Sequence, residues 1–282
     1  MISFKNVCYT YSKSDDFSLS KINFDVKKGE ILGILGKTGS GKSTIINLLS
    51  GLLEPSEGDI LLDNKNISDL KNELYSKIGI LFQYPEKQLF SKTVYDDIAF
   101  GLRNRDTDEN TIKKRISEII GFLNINENLL SKSHMNLSGG EKRKCALAGI
   151  LVTHPQVLIL DEFTAGLDAA SAIKLIEYIK SYKSQKGATI IFVSHVMEEA
   201  AYLSDKILIM HSGKQVAFGD AKEIFKQSEK LLELGLDIPD VSKIINKVNE
   251  VGDYRIPFEI QLEKAKIQIL EYLQNAEVQK ID

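Results

Sequence analysis

Cysteine is scarce in this 282-residue chain, with only Cys8 and Cys145 present. They stand far apart and form no CxxC pair, which removes a disulfide framework and a cysteine-built zinc site from consideration. Two reduced, buried thiols are expected instead. Long apolar runs are missing as well. No stretch approaches the roughly 20 residues that cross a bilayer, and the opening Met1-Ile2-Ser3-Phe4-Lys5 is unlike a secretory signal. A membrane role is therefore expected to be carried out from the aqueous side, by docking on another chain. An excess of one charge sign is also lacking. The chain has 36 Lys and Arg against 39 Asp and Glu, a net charge of −3. Composition thus calls for no nucleic-acid partner and no anionic surface.

What is present suits a folded globular chain of one large or two modest domains: 43% hydrophobic and 27% charged residues. The first 70 residues read as strands broken by turns, including Phe4 to Tyr11 and Phe17 to Val26. Ile31 to Leu35 is a short apolar strand, and Ser43 to Leu53 follows as a helix. Further apolar strands are expected at 78–82, 157–160 and 189–193, each set off by helical sequence. That pattern predicts a parallel sheet buried on both faces. Lys206 to Phe218 reads as two strands around Ser212-Gly213. Between the strands at 78–82 and 157–160, Ile112, Ile116, Ile119, Ile120 and Leu123 form a helical stripe in a charge-rich stretch, Tyr95 to Asn136, that reads as a helical insertion (subdomain bounds about 95–153). Beyond about 221 strand character is lost. Leu231, Leu232, Leu234, Leu236, Ile244, Ile245 and Val248 suggest short amphipathic helices broken at Gly235 and Pro239. The expected division is a domain at 1–220 and a small helical one at 221–282.

Between the strand at 31–35 and the helix lies Gly36-Lys37-Thr38-Gly39-Ser40-Gly41-Lys42-Ser43-Thr44, which fits the phosphate-loop pattern GxxxxGK[ST]. Glycines let successive backbone N–H groups face one anion, and the helix adds its positive end. Lys42 would reach the β- and γ-phosphates of ATP, and the Ser43 hydroxyl would ligate Mg²⁺. The strand Val157 to Leu160 runs into Asp161 and Glu162 at the sheet edge where open α/β folds bind ligands. Asp161 is suited to the Mg²⁺ shell and Glu162 to polarising an attacking water. An ordinary solvated strand end is the plainer alternative. His195 ends the next strand and would hold that water in line, whereas His134, His154 and His211 are read as structural. Leu137-Ser138-Gly139-Gly140-Glu141 precedes another helical run. By itself it is either a second anion site or a simple helix cap.

Together these residues resemble the ABC ATPase family over residues 1 to about 220. The resemblance implies an α/β fold: a P-loop NTPase with an ABC-type antiparallel β subdomain, a helical insertion and a small C-terminal, dimerisation domain. In that family two chains face head to tail, and the LSGG of one closes over the ATP of the other. Ser138, Gly139 and Gly140 would then serve a partner's ATP. Tyr11 looks like the adenine-stacking aromatic, with Tyr9 a rival. Gln83 resembles the glutamine that touches Mg²⁺ and water and begins the loop sensing the membrane partner. Asp168 resembles the acid linking the two ATP sites.

Three segments are similar to the ATPases of energy-coupling factor (ECF) importers: Phe82 to Phe90, Asp97 to Gly101 and Thr164 to Asp168. So is the tail containing Leu234-Gly235-Leu236-Asp237-Ile238-Pro239. The loop and the TAGLD segment lean to the second of the two paralogues. That likeness implies uptake of a vitamin or transition-metal ion. The partners would be a second ATPase chain (paralogue or self), a transmembrane scaffold and a substrate-binding membrane protein. The chain would be peripheral, at the cytoplasmic face of the cell membrane. Other ABC importers, exporters and a soluble non-transport ABC protein are the competing readings. Phe163 and Ala169 stand where the family usually has proline, and Lys37 where ECF ATPases often have histidine.

Overall fold

The computed structural model describes residues 1–11, 18–70, 72–252 and 255–278. Ten strands form one sheet: β1 (Ile2–Tyr9), β2 (Leu19–Val26), β3 (Ile31–Leu35), β4 (Glu57–Leu62), β5 (Lys65–Asn66), β6 (Ile78–Leu81), β7 (Val157–Asp161), β8 (Thr189–Val193), β9 (Lys206–His211) and β10 (Lys214–Asp220). Their spatial order is β5-β4-β1-β2-β10-β9-β3-β8-β7-β6. The half running β6-β7-β8-β3-β9 is wholly parallel. In the other half, β9–β10, β2–β1, β1–β4 and β4–β5 pair antiparallel, and β10 joins β2 in parallel.

The parallel half explains its own apolar sequence. Alternate residues of a strand face opposite sides of a sheet, and here both sides are covered. Leu158 and Leu160 of β7, Ile190 and Phe192 of β8, and Ile207 and Ile209 of β9 belong to one core cluster. Ile159, Ile191, Val193, Leu208 and Met210 belong to the other. The first cluster carries the helices Val94–Arg103, Glu109–Phe122, Gly139–Leu151 and Ala169–Lys186. It includes the whole predicted stripe from Ile112 to Leu123. The second packs the helix Lys42–Leu49 and the antiparallel strands. Both cysteines are buried and free, and burial pushes the Cys145 thiol up to about 12.

Differences from expectation are local. The helix after the phosphate loop stops at Leu49 rather than Leu53, because the Leu52 and Leu53 N–H groups both turn back to the Asn47 carbonyl. The second strand begins at Leu19, and Phe17 lies outside the described residues. After β10 come helices Ala221–Lys226, Ser228–Glu233, Asp240–Gly252 and Leu262–Val278. Leu231, Leu236, Ile238 and Ile260 join the first core cluster. Val241, Ile245, Ile256 and Ala265 form a small one of their own.

Ile159 lies at the centre of β7, fully buried between strands on both sides. Ile159→Ala is expected to lower the free energy of unfolding by about 2–5 kcal/mol in a urea titration, through lost transfer energy and a residual cavity. Leu232→Ala, at a position 55% exposed, should shift it by less than about 0.5 kcal/mol.

Candidate nucleotide-binding and active site

Parallel strands present their carboxyl ends along one edge, and four of them end in residues with chemistry. β3 runs into the glycine loop, β6 leads to Gln83, β7 ends in Asp161 and Glu162, and β8 leads to His195. A cleft of about 1070 Å³ lies there. Of the expected site residues it is lined by Tyr11, Gly36, Lys37, Thr38, Gly39, Gly41, Lys42, Ser43, Thr44, Gln83, Asp161, Glu162 and His195.

The loop curls around its own lysine. The Lys42 ammonium donates to the carbonyls of Gly36 (2.6 Å) and Lys37 (2.9 Å), and the residue is only 8% exposed. Gly36 is required by crowding: a Cβ there would lie 2.3 Å from the Met210 carbonyl oxygen and 2.5 Å from Ser40 Oγ. Ser40 is buried inside the loop, and its hydroxyl has no hydrogen-bond partner among the described residues. Its N–H donates to the Lys37 carbonyl (3.1 Å), and its own carbonyl accepts from Gly213 N–H (3.1 Å). The turn between β9 and β10 thus pins the loop. Tyr11 is 63% exposed. Its hydroxyl meets Thr44 Oγ1 at 2.9 Å, and the edge of one ring faces the other at Tyr9, 4.8 Å away.

Opposite the lysine sits a carboxylate cluster. Gln83 Nε2 donates to Glu162 Oε2 at 2.6 Å, and His195 Nδ1 lies 3.6 Å from Glu162 Oε1. Glu162 adopts φ 45°, a left-handed conformation that a glutamate holds only at a cost. Its N–H donates to the Val193 carbonyl (3.0 Å), and the next residue, Phe163, is fully buried with its ring 6.2 Å from that of Phe192. An aromatic in the core therefore anchors the turn. Burial lowers the pKa of Lys42, while Glu162 and Asp161 oppose that shift. Burial, reinforced by Glu162, raises that of Asp161 against the pull of Lys42.

Ser43, Gln83 and Asp161 offer a hydroxyl, an amide carbonyl and a carboxylate. This all-oxygen set fits a hard cation such as Mg²⁺. With the Gln83 NH₂ group given to Glu162, its carbonyl oxygen is left for a metal.

The remaining site residues lie elsewhere. Ser138, Gly139, Gly140 and Asp168 do not line the cleft. Ser138 caps the helix Gly139–Leu151 in a capping box with Glu141, and a Cβ on Gly139 or Gly140 would meet open space. Asp168 caps the helix Ala169–Lys186, accepting from Ser171 N–H (3.0 Å) and Ser171 Oγ (2.6 Å). Sequence reading missed other cleft-lining residues: Ser18, Met197, Ser212, Gly213 and the segment Gly235-Leu236-Asp237. It also missed buried Glu199, which accepts from the hydroxyls of Thr164 and Ser194 (2.6 Å for Ser194). This braces the turns beside Glu162 and His195. A glutamate in a helix carries no local signal for such a role.

The raised Asp161 pKa has a consequence for stability. The folded state holds that proton more tightly than the unfolded chain does. Asp161 therefore favours folding fully below its unfolded pKa, and that contribution is lost as pH rises through the folded pKa. Asp161→Asn should be more resistant to urea than the wild type at pH 7, and the gap should close as the pH falls to about 4. Denaturation curves at the two pH values check this.

The match to known proteins covers the region that builds this site. Residues 19–165 fit the family model described as ABC transporter. The chain is 40% identical to the energy-coupling factor transporter ATP-binding protein EcfA2 of Caldanaerobacter subterraneus subsp. tengcongensis, over 96% of this chain and 97% of that one. It is 39% identical to the EcfA2 of Clostridium perfringens, over 97% and 99%. Among solved structures it is similar to cbiO1 from Clostridium perfringens, described as part of the ABC transporter complex cbiONQ: TM-score 0.75, 36% identity, 89% of this chain and 95% of that one. It is also similar to the dimeric bacterial ABC transporter cassette MJ0796: TM-score 0.71, 27% identity, 78% and 99%. The chain belongs to the ABC transporter ATPase family and, within it, to the ATP-binding proteins of energy-coupling factor transporters.

Proposed function

We propose that this chain works as one half of a head-to-tail ATPase pair that powers an ECF importer of a vitamin or transition-metal ion. The observation that carries the reading is the meeting of Lys42, Gln83, Asp161, Glu162 and His195 at one cleft, with Ser138, Gly139 and Gly140 outside it. One set binds and cleaves ATP; the other is left to complete the site of a second ATPase chain, a paralogue or another copy. Asp168, also outside the cleft, would link the two sites.

In this reading the loop amides of 36–44 and Lys42 hold the triphosphate, and Tyr11 offers a face to adenine. Ser43, Asp161 and Gln83 hold Mg²⁺, which neutralises phosphate charge when bound. Glu162 accepts the proton of the attacking water; Gln83 and His195 fix its carboxylate from two sides. The strained backbone at Glu162 keeps that carboxylate aimed into the cleft. Closure of the pair follows from tighter binding of ATP to the closed state.

The membrane side is supported by the surface that follows Gln83. Tyr84, Phe90 and Phe100 are 53%, 62% and 45% exposed, and the last two pack edge to face at 4.8 Å. Exposed aromatic groups of this kind suit a transmembrane scaffold. No helix among the described residues is long and apolar enough to cross a membrane. In this reading the chain sits peripherally at the cytoplasmic face, beside that scaffold and a substrate-binding membrane protein.

Glu162→Gln keeps the side-chain shape and removes the base. It is expected to bind ATP as the wild type does and to cut phosphate release by about 100-fold or more. It should also elute as a dimer in ATP on size-exclusion chromatography. Full turnover in this variant would sink the assignment of Glu162.

A further inference from the structure

One wall of the ATP cleft comes from far along the chain. Gly235, Leu236 and Asp237 line it, and their placement has a local cause. The helix Ser228–Glu233 ends in a Schellman turn: Leu236 N–H donates to the Leu231 carbonyl (2.9 Å), and Gly235 N–H to that of Leu232 (2.8 Å), with Gly235 at φ 66°. Leu231 and Leu236, which this turn brings together, are both buried in the main core. The turn is therefore held from beneath. Further on, Asp240 N–H donates to Glu198 Oε1 at 3.0 Å. Glu198 lies on the helix Met197–Leu203, which begins two residues after His195.

Lys37 meets this wall. A methyl group built on Gly235 would lie 2.0 Å from Lys37 Nζ and 2.4 Å from its Cε, so the ammonium end rests against the Gly235 backbone. The Lys37 carbonyl is already committed to Ser40 N–H and to Lys42. Its side chain has no carboxylate at ion-pair distance among the described residues. The nearby Asp237 is no competitor, since its carboxylate is turned to Ile238 N–H (2.8 Å) and Lys243 (2.7 Å). A lysine loses much rotamer freedom when it is ordered, and a wall that restricts it beforehand lowers that loss on binding.

We propose that residues 235–237 form a wall of the ATP site in cis, which positions Lys37 as a second cation for the terminal phosphate of a nucleoside triphosphate. The Asp240–Glu198 bond ties the chain that follows this wall to the helix beginning two residues after His195. The proposal rests on the reading of the cleft as an ATP site. It gives Gly235 a role beyond ending a helix, and only that role touches nucleotide affinity.

The test is calorimetric titration of the full chain with Mg²⁺ and either a non-hydrolysable ATP analogue or ADP. Lys37→Met and Gly235→Ala should each weaken the triphosphate analogue about tenfold and ADP by no more than about twofold, the size of one charge-assisted contact. The double variant should lose no more than either single, since the two substitutions remove the same contact. A separate measurement spares the glycine: the analogue should slow amide hydrogen exchange across 234–240 in the wild type and leave it unchanged in Lys37→Met. Additive losses, wild-type affinity in Lys37→Met, or equal slowing in both proteins would overturn the role of the wall and Lys37 alone. Wild-type affinity in Lys42→Ala would overturn the ATP-site assignment and the role of the wall with it.

Discussion

The architecture turns on one buried ammonium. Removing a lysine from water costs several kcal/mol unless its protons find acceptors. Lys42 finds two in the backbone of its own loop, the carbonyls of Gly36 and Lys37. Those carbonyls can point inward only where the chain passes too close to Met210 for any side chain, hence Gly36. The loop in turn is tied through Ser40 and Gly213 to the β9–β10 turn, and Ser20 N–H donates to the Gly213 carbonyl (2.9 Å). The antiparallel half of the sheet thus has a mechanical task. It clamps the loop that wraps the cation, while Asp161 and Glu162 across the cleft favour its charged form.

The acidic side depends on register. In the parallel ladder, Leu81 pairs with Leu160, and Asp161 with Val193, so the strands expire at one level. A slip of one residue in β7 would exchange its core faces and bury Asp161's neighbours on the wrong side. The alternation of Leu158 and Leu160 against Val157 and Ile159 between two separate cores forbids that slip. Glu162 then leaves the strand in a left-handed turn, held by Val193 above and Phe163 below. Packing energy in the core sustains a strained carboxylate at the surface.

Much of this was legible because it is local. A five-residue apolar strand, a glycine loop and a helix follow one another within twenty residues, and strands that end in Asp-Glu or lead to His195 carry their chemistry with them. The parallel sheet was likewise readable from uninterrupted apolar runs, since burial on both faces erases alternation. What escaped depends on distant contact. Glu199 reaches Thr164 and Ser194 only because its helix packs beside β7 and β8. Ser18, Met197 and Gly235 enter the cleft by tertiary placement, and no spacing rule announces them. The helix Leu262–Val278 lies in the tail expected to be helical, but its own bounds were not readable, because its apolar residues do not keep to one buried face, with Leu262, Ile267 and Leu270 at least half exposed.

The tail illustrates why composition and energetics divide a chain at different points. Strand character stops near 221, where β10 ends, yet the large core continues through Leu231, Leu236 and Ile238. A separate cluster, Val241, Ile245, Ile256 and Ala265, begins only after Pro239. The two clusters are bridged by polar contacts at the seam. Lys222 meets the buried carboxylate of Glu259 at 3.0 Å, and Ser242 Oγ donates to the Glu259 carbonyl at 2.8 Å. Four buried residues make too small a core to stand alone, so the last helices draw order from the ATPase core through this seam. Residues 221–238 belong with the ATPase in packing even though they look like the tail in sequence, and the helix that begins at Asp240 is tied to the same body directly through Glu198.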